Sequence, residues 1–365
     1  MSTRRAVIFG TGGIGSAVAR ELLGTVDAST AGSRSPDGDS DDWTVEIVAR
    51  HASLGSAELE RAGATFVGGD RRDTALLREL LRPGADLVVD TVCATRGDAA
   101  QLLPYAGDVG SLVMISSKAV YIDEQGRHAN SVDKPVFAGP ITELQPTVHA
   151  GDGDPTGRDG YSANKVAAEE LLLDSDLPTT VLRPSKVYGV GIGRPREWFV
   201  VRRVLDGRER IALADGGRGQ DHTTAAAGIA SLARIVADQP GRRILNVADR
   251  SAPTARDIVR SIAAHLDHRF EEFLLDETAP AFLGLTPWSA PHPFILDTAA
   301  AEALGWNPPQ YEQAVRPELD WLVETARSTP ASRDVPWASD PFWDRLFDYG
   351  PEDAALTLLA LQQSA

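Results

Sequence analysis

Tyr161 and Lys165 stand four residues apart in GYSANKVAAEELL (160–172), an Ala/Leu/Glu-rich stretch that favours a helix. On a helix, positions i and i+4 share a face, so the lysine lies beside the phenol. A phenol with an ordinary pKa near 10 is a poor acid or base at neutral pH, and a neighbouring ammonium stabilises the phenolate. The same ammonium is placed to hold ribose hydroxyls. The 365-residue chain has six tyrosines and four lysines, and six times 4/365 gives roughly 0.07 Y-x-x-x-K matches by chance. The bland alternative is a structural tyrosine beside a Lys165–Glu169 surface pair. Two further hydroxyls, Ser116 and Ser117 of MISSKAVYID, follow an apolar run and fall at its carboxyl end.

A second motif supplies a place for a phosphate. FGTGGIGSAVARELL puts Gly10, Gly12 and Gly15 in a G-x-G-x-x-G frame after the first strand-like run and at the start of a helical pattern. The helix N-terminus offers N–H groups and a positive dipole end to a pyrophosphate, with Thr11, Gly13 and Ile14 completing the loop. Folds of this kind that prefer NAD carry an acid after the second strand for the ribose 2′-hydroxyl. Here that strand ends VARH, and Arg50 suits a 2′-phosphate, so NADP(H) is the preferred cofactor and NAD(H) the alternative. Asp70 of GGDRRD is placed for the adenine amino group, with Arg71 beside it, while Asp73 fits the N-cap of TALLRELL better. Thr91, Val92 and Cys93, at the end of DLVVDTVC, close the set of cofactor candidates around the loop.

These motifs need an open parallel sheet to bring them together, and the pattern supplies one. The runs AVIFG (6–10), TVEIVA (44–49), ATFVGG (64–69), DLVVDTV (86–92) and SLVMISS (111–117) are apolar and β-branched, and helical patterns separate them. Such alternation implies an α/β, doubly wound parallel sheet covered on both faces. TTVLRP (179–184) reads as a further buried strand and RILNVA (243–248) as one returning to the same sheet. The expected organisation is a Rossmann domain over 1–185, a smaller substrate lobe mainly over 186–330, and a tail over 331–365 with an aromatic cluster and a final helix. Helices are expected near 195–206, 225–238, 254–266 and 310–327. The polar stretch 25–42 breaks the rhythm and reads as a mobile surface loop.

Composition sets the outer bounds. The net charge of −16 argues against nucleic acid as a partner, since a phosphate backbone would be repelled. No run of 18 or more apolar residues suggests a membrane span, and the single cysteine, Cys93, fits a reducing compartment. A cytoplasmic protein, a homodimer or a monomer, acting on a small molecule is therefore expected. Histidines and acids show no metal-ligand spacing.

Taken together, GTGGIG, GGDRRD, SSKAVY, YSANK and LRPSKVYGVG resemble the short-chain dehydrogenase/reductase superfamily in its extended or atypical branch, the NAD-dependent epimerase/dehydratase-like proteins. They cover most of residues 5–192, and weaker similarity runs through NVADRSAPTARDIVRSIAAHL and ALGWNP to about residue 325. The resemblance implies a catalytic set of Ser117, Tyr161 and Lys165. Ser117 is favoured over Ser116 because it lies four residues before the tyrosine of the S-S-x-x-V-Y segment. It also implies that Pro184, Ser185 and Val187 line the nicotinamide side.

Departures bear on the substrate. Lys186 in RPSKVYGV stands where nucleotide-sugar members carry an asparagine, and QDHTTAAAG lacks the arginine and both later acids of their R-D-F-x-x-V-D-D-like stretch. Those positions help to bind a sugar nucleotide's phosphates, which makes such a substrate doubtful. Val18 occupies the place of a further glycine. Trp198, Phe199, His222, Trp288 and His292, with Lys186, are candidate substrate residues, although ordinary packing explains each of them singly. The expected activity is an NADP(H)-dependent oxidoreductase that moves hydride between a nicotinamide and a small carbonyl/alcohol pair. A nucleotide-sugar epimerase or dehydratase with retained NAD is the alternative, and a non-catalytic NADP-binding sensor a further one.

Overall fold

The computed structural model describes residues 3–25, 43–52, 54–280, 283–329 and 335–363, so the loop expected over 25–42 lies, beyond Thr25, outside the described residues. A seven-stranded sheet is built from β1 (Arg4–Phe9), β2 (Trp43–Ala49), β3 (Thr65–Gly68), β4 (Leu87–Asp90), β5 (Leu112–Ile115), β6 (Thr179–Pro184) and β10 (Arg243–Val247). All its pairings are parallel, in the order β10-β6-β5-β4-β1-β2-β3. β4, β5 and β6 are buried throughout, as expected for strands covered on both faces. One face is covered by α1 (Gly13–Leu22), α2 (Leu54–Arg61) and α7 (Ala226–Asp238), the other by α3 (Thr74–Leu81), α4 (Arg96–Ala100) and α5 (Gly160–Leu173). The order reverses between β1 and β4, which opens a crevice at the carboxyl ends of those strands. Helix caps follow local chemistry: Asp73 accepts from Ala75 and Leu76 N–H at the start of α3, and Thr95 and Asp98 form a capping box on α4.

A second core gathers residues after β7 (Lys186–Tyr188). It packs α6 (Trp198–Leu205), β8 (Arg210–Leu213), α8 (Ala255–His265), α10 (Tyr311–Ala314) and α11 (Arg316–Ser328) around Trp198, Phe199 and Trp288. β8 pairs in parallel with β11 (Glu271–Leu274), and β7 pairs in parallel with β9 (Thr223–Ala225). The helix expected over 310–327 is two helices that break at Val315, with Pro317 in the first turn of the second. After the short α9 (Ala299–Glu302), Trp306 donates to the Gly228 carbonyl and so ties this segment to α7. The aromatic cluster of the tail packs inward: Trp337 meets Trp198 edge-on at 5.6 Å and Trp321 at 4.8 Å. The final helix α12 (Tyr349–Gln363) is held by Arg203 against Glu352, and by Arg208 against Asp353.

The second core holds a pair of buried acids beside Arg196. Glu197 and Glu318 are buried; the Tyr311 hydroxyl donates to Glu197 at 3.3 Å, and Gly189 N–H donates to Glu318 at 2.8 Å. The remaining oxygens, Glu197 Oε2 and Glu318 Oε1, are buried with no other partner. A hydrogen bond between the two carboxyls requires one to keep a proton. Burial raises Glu197 from 4.5 to about 7, and burial with the charge of Glu197 pushes Glu318 up as well. The native protein therefore holds protons that the unfolded chain releases, so this pair's stabilising contribution is full below about 4.5 and is lost as pH rises through the raised values of the two acids. Glu197→Gln removes part of that slope. Relative to wild type it should gain up to about 1.4 kcal/mol per pH unit across the window, measured by denaturant unfolding at acid and neutral pH. A difference that does not vary with pH contradicts the shared proton.

Candidate active site at the carboxyl edge of the sheet

Lys165 is the anchor of the crevice. Its side chain is buried, and its ammonium donates to the Cys93 carbonyl at 2.6 Å and to the Ile115 carbonyl at 2.8 Å. It thus ties the ends of β4 and β5, two of its three donors are used, and one remains for a ligand. The surface pair with Glu169 does not form. Glu169 is buried on the same helix, where Arg183 donates to both of its oxygens and Ser116 to one. Ser116 is thereby committed to the scaffold. Ser117, half-buried, accepts from Ala119 N–H at 3.1 Å and keeps its own hydroxyl proton for another partner. Tyr161 sits half-buried in the first turn of α5, and its hydroxyl has no partner among the described residues. Its neighbour Ser162 donates to the Ala119 carbonyl at 2.8 Å, which fastens the tyrosine's helix to the turn that carries Ser117.

The glycine frame has one steric reason per position. Gly10 takes φ +104°, and a Cβ there would lie 2.2 Å from Thr91 Oγ1. A Cβ on Gly15 would lie 1.9 Å from the Gly10 carbonyl oxygen, so α1 meets β1 too closely for any side chain. A Cβ on Gly12 would meet nothing within 4 Å, because Gly12 faces open space. That space is a cavity of about 550 Å³, walled by the glycine loop, Arg50, Asp70, Thr91, Val92 and Ile192. Its polar floor of N–H groups at the start of α1 suits a pyrophosphate, and the exposed Arg50 stands at its far wall.

Other expected cofactor residues fall differently. Arg71 borders the cavity, but its guanidinium is buried against Asp90 and reaches Gln101 at 2.9 Å, so it is not a free cation. Asp90 also accepts from Val92 N–H at 3.1 Å and Cys93 N–H at 2.9 Å, which shapes the turn that presents the Cys93 carbonyl to Lys165. The Cys93 side chain is buried away from the cavity, burial pushes its thiol up, and only its backbone serves the site. Asp70 is exposed and accepts from Arg72 N–H at 2.9 Å. Pro184 ends β6 and Ser185 and Val187 follow it, with Ser185 N–H donating to Thr224 Oγ1 at 3.0 Å. Val187 packs against the sheet's core.

Several substrate candidates are corrected. Trp198, Phe199 and Trp288 are buried in the second core, where Trp198 packs on Trp337 and Phe199 on Trp288. His222 is buried with both ring nitrogens engaged: Leu296 N–H donates to Nδ1 at 3.2 Å, which makes Nε2 the donor to the Asp249 carbonyl at 2.9 Å. Burial lowers its pKa to about 4, so it is a neutral scaffold residue. His292 is exposed. Lys186 is placed otherwise: it donates to the Pro287 carbonyl at 2.8 Å and pairs with Asp221 at 3.1 Å. Ile192 escaped sequence reasoning. A Cβ on Gly13 would lie 2.5 Å from its side chain, so the 189–192 turn covers the glycine loop from a place about 180 residues away in sequence. Among the described residues, no group of three or more His, Cys, Asp or Glu could hold a metal ion, and no helix is long and apolar enough to cross a membrane.

A doubly wound parallel sheet with a glycine loop at its switch point defines an open, Rossmann-like α/β fold. Solved enzymes share it across almost their whole length. A dTDP-glucose 4,6-dehydratase from Bacillus anthracis, solved with NAD, matches at a TM-score of 0.64 and 16% identity over 89% of this chain and 98% of that one. The UDP-glucose 4-epimerase from Thermotoga maritima, with UDP-glucose, matches at 0.61 and 15% over 88% and 99%. A dTDP-glucose 4,6-dehydratase from Streptomyces venezuelae, with NAD and TYD, matches at 0.61 and 20% over 88% and 98%. No protein-family model matches the sequence, and no curated protein matches it.

The glycine geometry separates folding from ligand binding. Gly12 has an ordinary extended backbone, with φ −70° and ψ −178°. Gly12→Ala should therefore fold with unchanged or slightly raised stability, yet bind a nicotinamide dinucleotide at least about 10-fold more weakly. Gly15→Ala should lose about 3 kcal/mol of stability from the backbone clash. Thermal unfolding and calorimetric titration of both variants check the pair of outcomes.

Proposed function

We propose that the protein is an NADP(H)-dependent oxidoreductase of the short-chain dehydrogenase/reductase type acting on the carbonyl/alcohol pair of a small organic molecule. The observation that carries this reading is Lys165, held between the Cys93 and Ile115 carbonyls one helical turn from Tyr161, with the Ser117 turn tied to the same helix. The open face of Gly12 and the 550 Å³ cavity fit a dinucleotide. When bound, the nicotinamide supplies or accepts the hydride.

The chain's own residues handle the oxygen and its proton. In the reducing direction Ser117 donates a hydrogen bond to the carbonyl oxygen and Tyr161 gives it a proton as the carbon gains hydride. The product alcohol is neutral, and the phenolate is stabilised by the Lys165 ammonium until it is reprotonated from solvent. Lys165 also offers its third N–H to ribose hydroxyls, and its two carbonyl bonds hold it at a fixed height above the sheet edge. Arg50, on the cavity wall, supports a 2′-phosphate and hence NADP(H).

The second reading, a nucleotide-sugar epimerase or dehydratase with retained NAD, is favoured by the solved structures of this fold, several of which contain NAD. Against it stand Lys186 in place of the asparagine and the acids missing from QDHTTAAAG. Tightly bound NAD(H) in purified protein, with no consumption of added NADPH, would decide for it.

Tyr161→Phe should lower turnover by about 10²–10⁴-fold while leaving NADPH binding within about threefold of wild type. Near-full activity in that variant sinks the proposed chemistry. Arg50→Ala should weaken NADPH binding by roughly 10- to 100-fold and NADH binding little, the loss expected for charge-assisted hydrogen bonds. Equal losses for both cofactors would remove Arg50 as the source of the preference.

A further inference from the structure

Apart from Lys165, the lysines of the chain lie close enough to act on one another. Lys118 follows Ser117 directly, Lys186 lies just beyond the end of β6, and the exposed Lys134 acts on Lys186 through its charge. Lys118 and Lys186 converge on a single carboxylate, Asp221. Asp221 is fixed by its backbone: Phe294 N–H donates to the Gln220 carbonyl at 2.9 Å, and His222 N–H donates to the Phe294 carbonyl at 3.0 Å. The Phe294 ring covers Lys118, whose ammonium lies 4.1 Å from the ring centroid, and Phe137 braces that ring edge-on at 5.0 Å. Nearby, Ser185 Oγ is buried without a partner.

The charges in this cluster do not balance. Lys118 and Lys186 share one carboxylate, Asp221, so with both ammonium groups charged the cluster carries excess positive charge, and burial with the charges of Lys186 and Arg196 lowers the Lys118 ammonium well below its usual value. The side chains are 9%, 23% and 14% exposed, so water compensates little of the excess. Arg196 adds to the positive field, and Glu197 and Glu318 oppose it. Burial, Arg196 and Lys134 pull the Lys186 ammonium down to about 7 against the opposing charge of Glu197.

We propose that Lys118 and Lys186 form the seat for an anionic group, a carboxylate or a phosphate, on the molecule that reaches Ser117 and Tyr161. The substrate class is then an acid that carries its reacting carbonyl or alcohol a few bonds from the anion. The placement rests on the proposed oxidoreductase reading, but the anion seat itself does not. Lys186 spends donors on Pro287 and Asp221 and Lys118 spends one on Asp221, so up to three ammonium donors remain for an anion, and the unpartnered Ser185 hydroxyl adds another. The Phe294 ring excludes water from one side of the seat.

The test measures binding apart from turnover. Full-length protein saturated with NADP⁺ is titrated by calorimetry with short oxo acids, with their methyl esters and with inorganic phosphate. Oxo acids should bind at least 10-fold more tightly than their esters. Lys118→Met and Lys186→Met should each lose that margin while NADP⁺ affinity stays unchanged, and Lys186→Arg should keep it. Competition by phosphate would show that the seat also takes phosphate, and its absence would restrict it to carboxylates, each within the proposal. Equal binding of acids and esters, no binding of any acid by wild type, or an undiminished preference in both methionine variants would overturn it. If a methionine variant fails to fold, the wild-type acid-to-ester ratio and the arginine variant decide. Acid binding without NADPH consumption leaves the anion seat standing and removes the oxidoreductase reading. NADPH consumption with neutral ketones preferred over acids does the reverse.

Discussion

A buried ammonium must find acceptors, and the structure around the crevice follows from that requirement. Lys165 satisfies two of its donors on the carbonyls that end β4 and β5. Hydrogen bonds to a charged group contribute about 1.5–3 kcal/mol each, and leaving the charge buried without them would cost more. The carbonyls are in turn positioned. Asp90, paired with Arg71, holds the N–H groups of Val92 and Cys93, so the Cys93 carbonyl turns toward the lysine. One turn along α5, Glu169 binds Arg183 of β6 and Ser116 of the β5 end. The helix that carries Tyr161 is therefore fastened to three adjacent strands by ionic and hydrogen-bonded groups, and apolar packing supplies the rest. The tyrosine hydroxyl is left without a partner among the described residues at that edge.

The two cores are joined where the cavity over the glycine loop is walled. β7 leaves the sheet edge, Gly189 N–H is held by Glu318 of α11, and the turn that follows lays Ile192 over Gly13. Glu318 shares its environment with Glu197 and Tyr311, all in the second core. A change in the protonation of that acid pair is thus one hydrogen bond from the segment that covers the glycine loop. The same region places Lys186 and, through the 220–222 backbone, Asp221.

Much of the sheet and the heart of the site were legible in the sequence because both rest on local patterns. Alternating apolar runs gave the strands, the glycine spacing gave the loop, the i+4 spacing gave Tyr161 and Lys165 one helix, and Asp73 proved the N-cap it resembled. The rest depends on contacts between distant segments. Nothing near Ile192 marks it as a neighbour of Gly13, and nothing near Asp221 marks it as a partner of Lys118. The parallel pairing of β8 with β11 joins segments about 60 residues apart. Trp198, Phe199, Trp288 and His222 were candidates by residue type alone, and large aromatic or imidazole side chains serve a core as readily as a cleft. Burial, which assigned them to the core, is a property of the whole fold.

The central claim is that the edge anchored by Lys165 is a nicotinamide dinucleotide site with one lysine donor held in reserve. A crystal structure of the protein with NADPH tests it most directly. The account predicts the pyrophosphate against the Gly12 face of the glycine loop and the 2′-phosphate near Arg50. It also predicts a nicotinamide ribose hydroxyl bonded to Lys165 Nζ while the Cys93 and Ile115 carbonyl bonds persist. A cofactor bound elsewhere, or one on the glycine loop whose ribose makes no contact with Lys165, would contradict it.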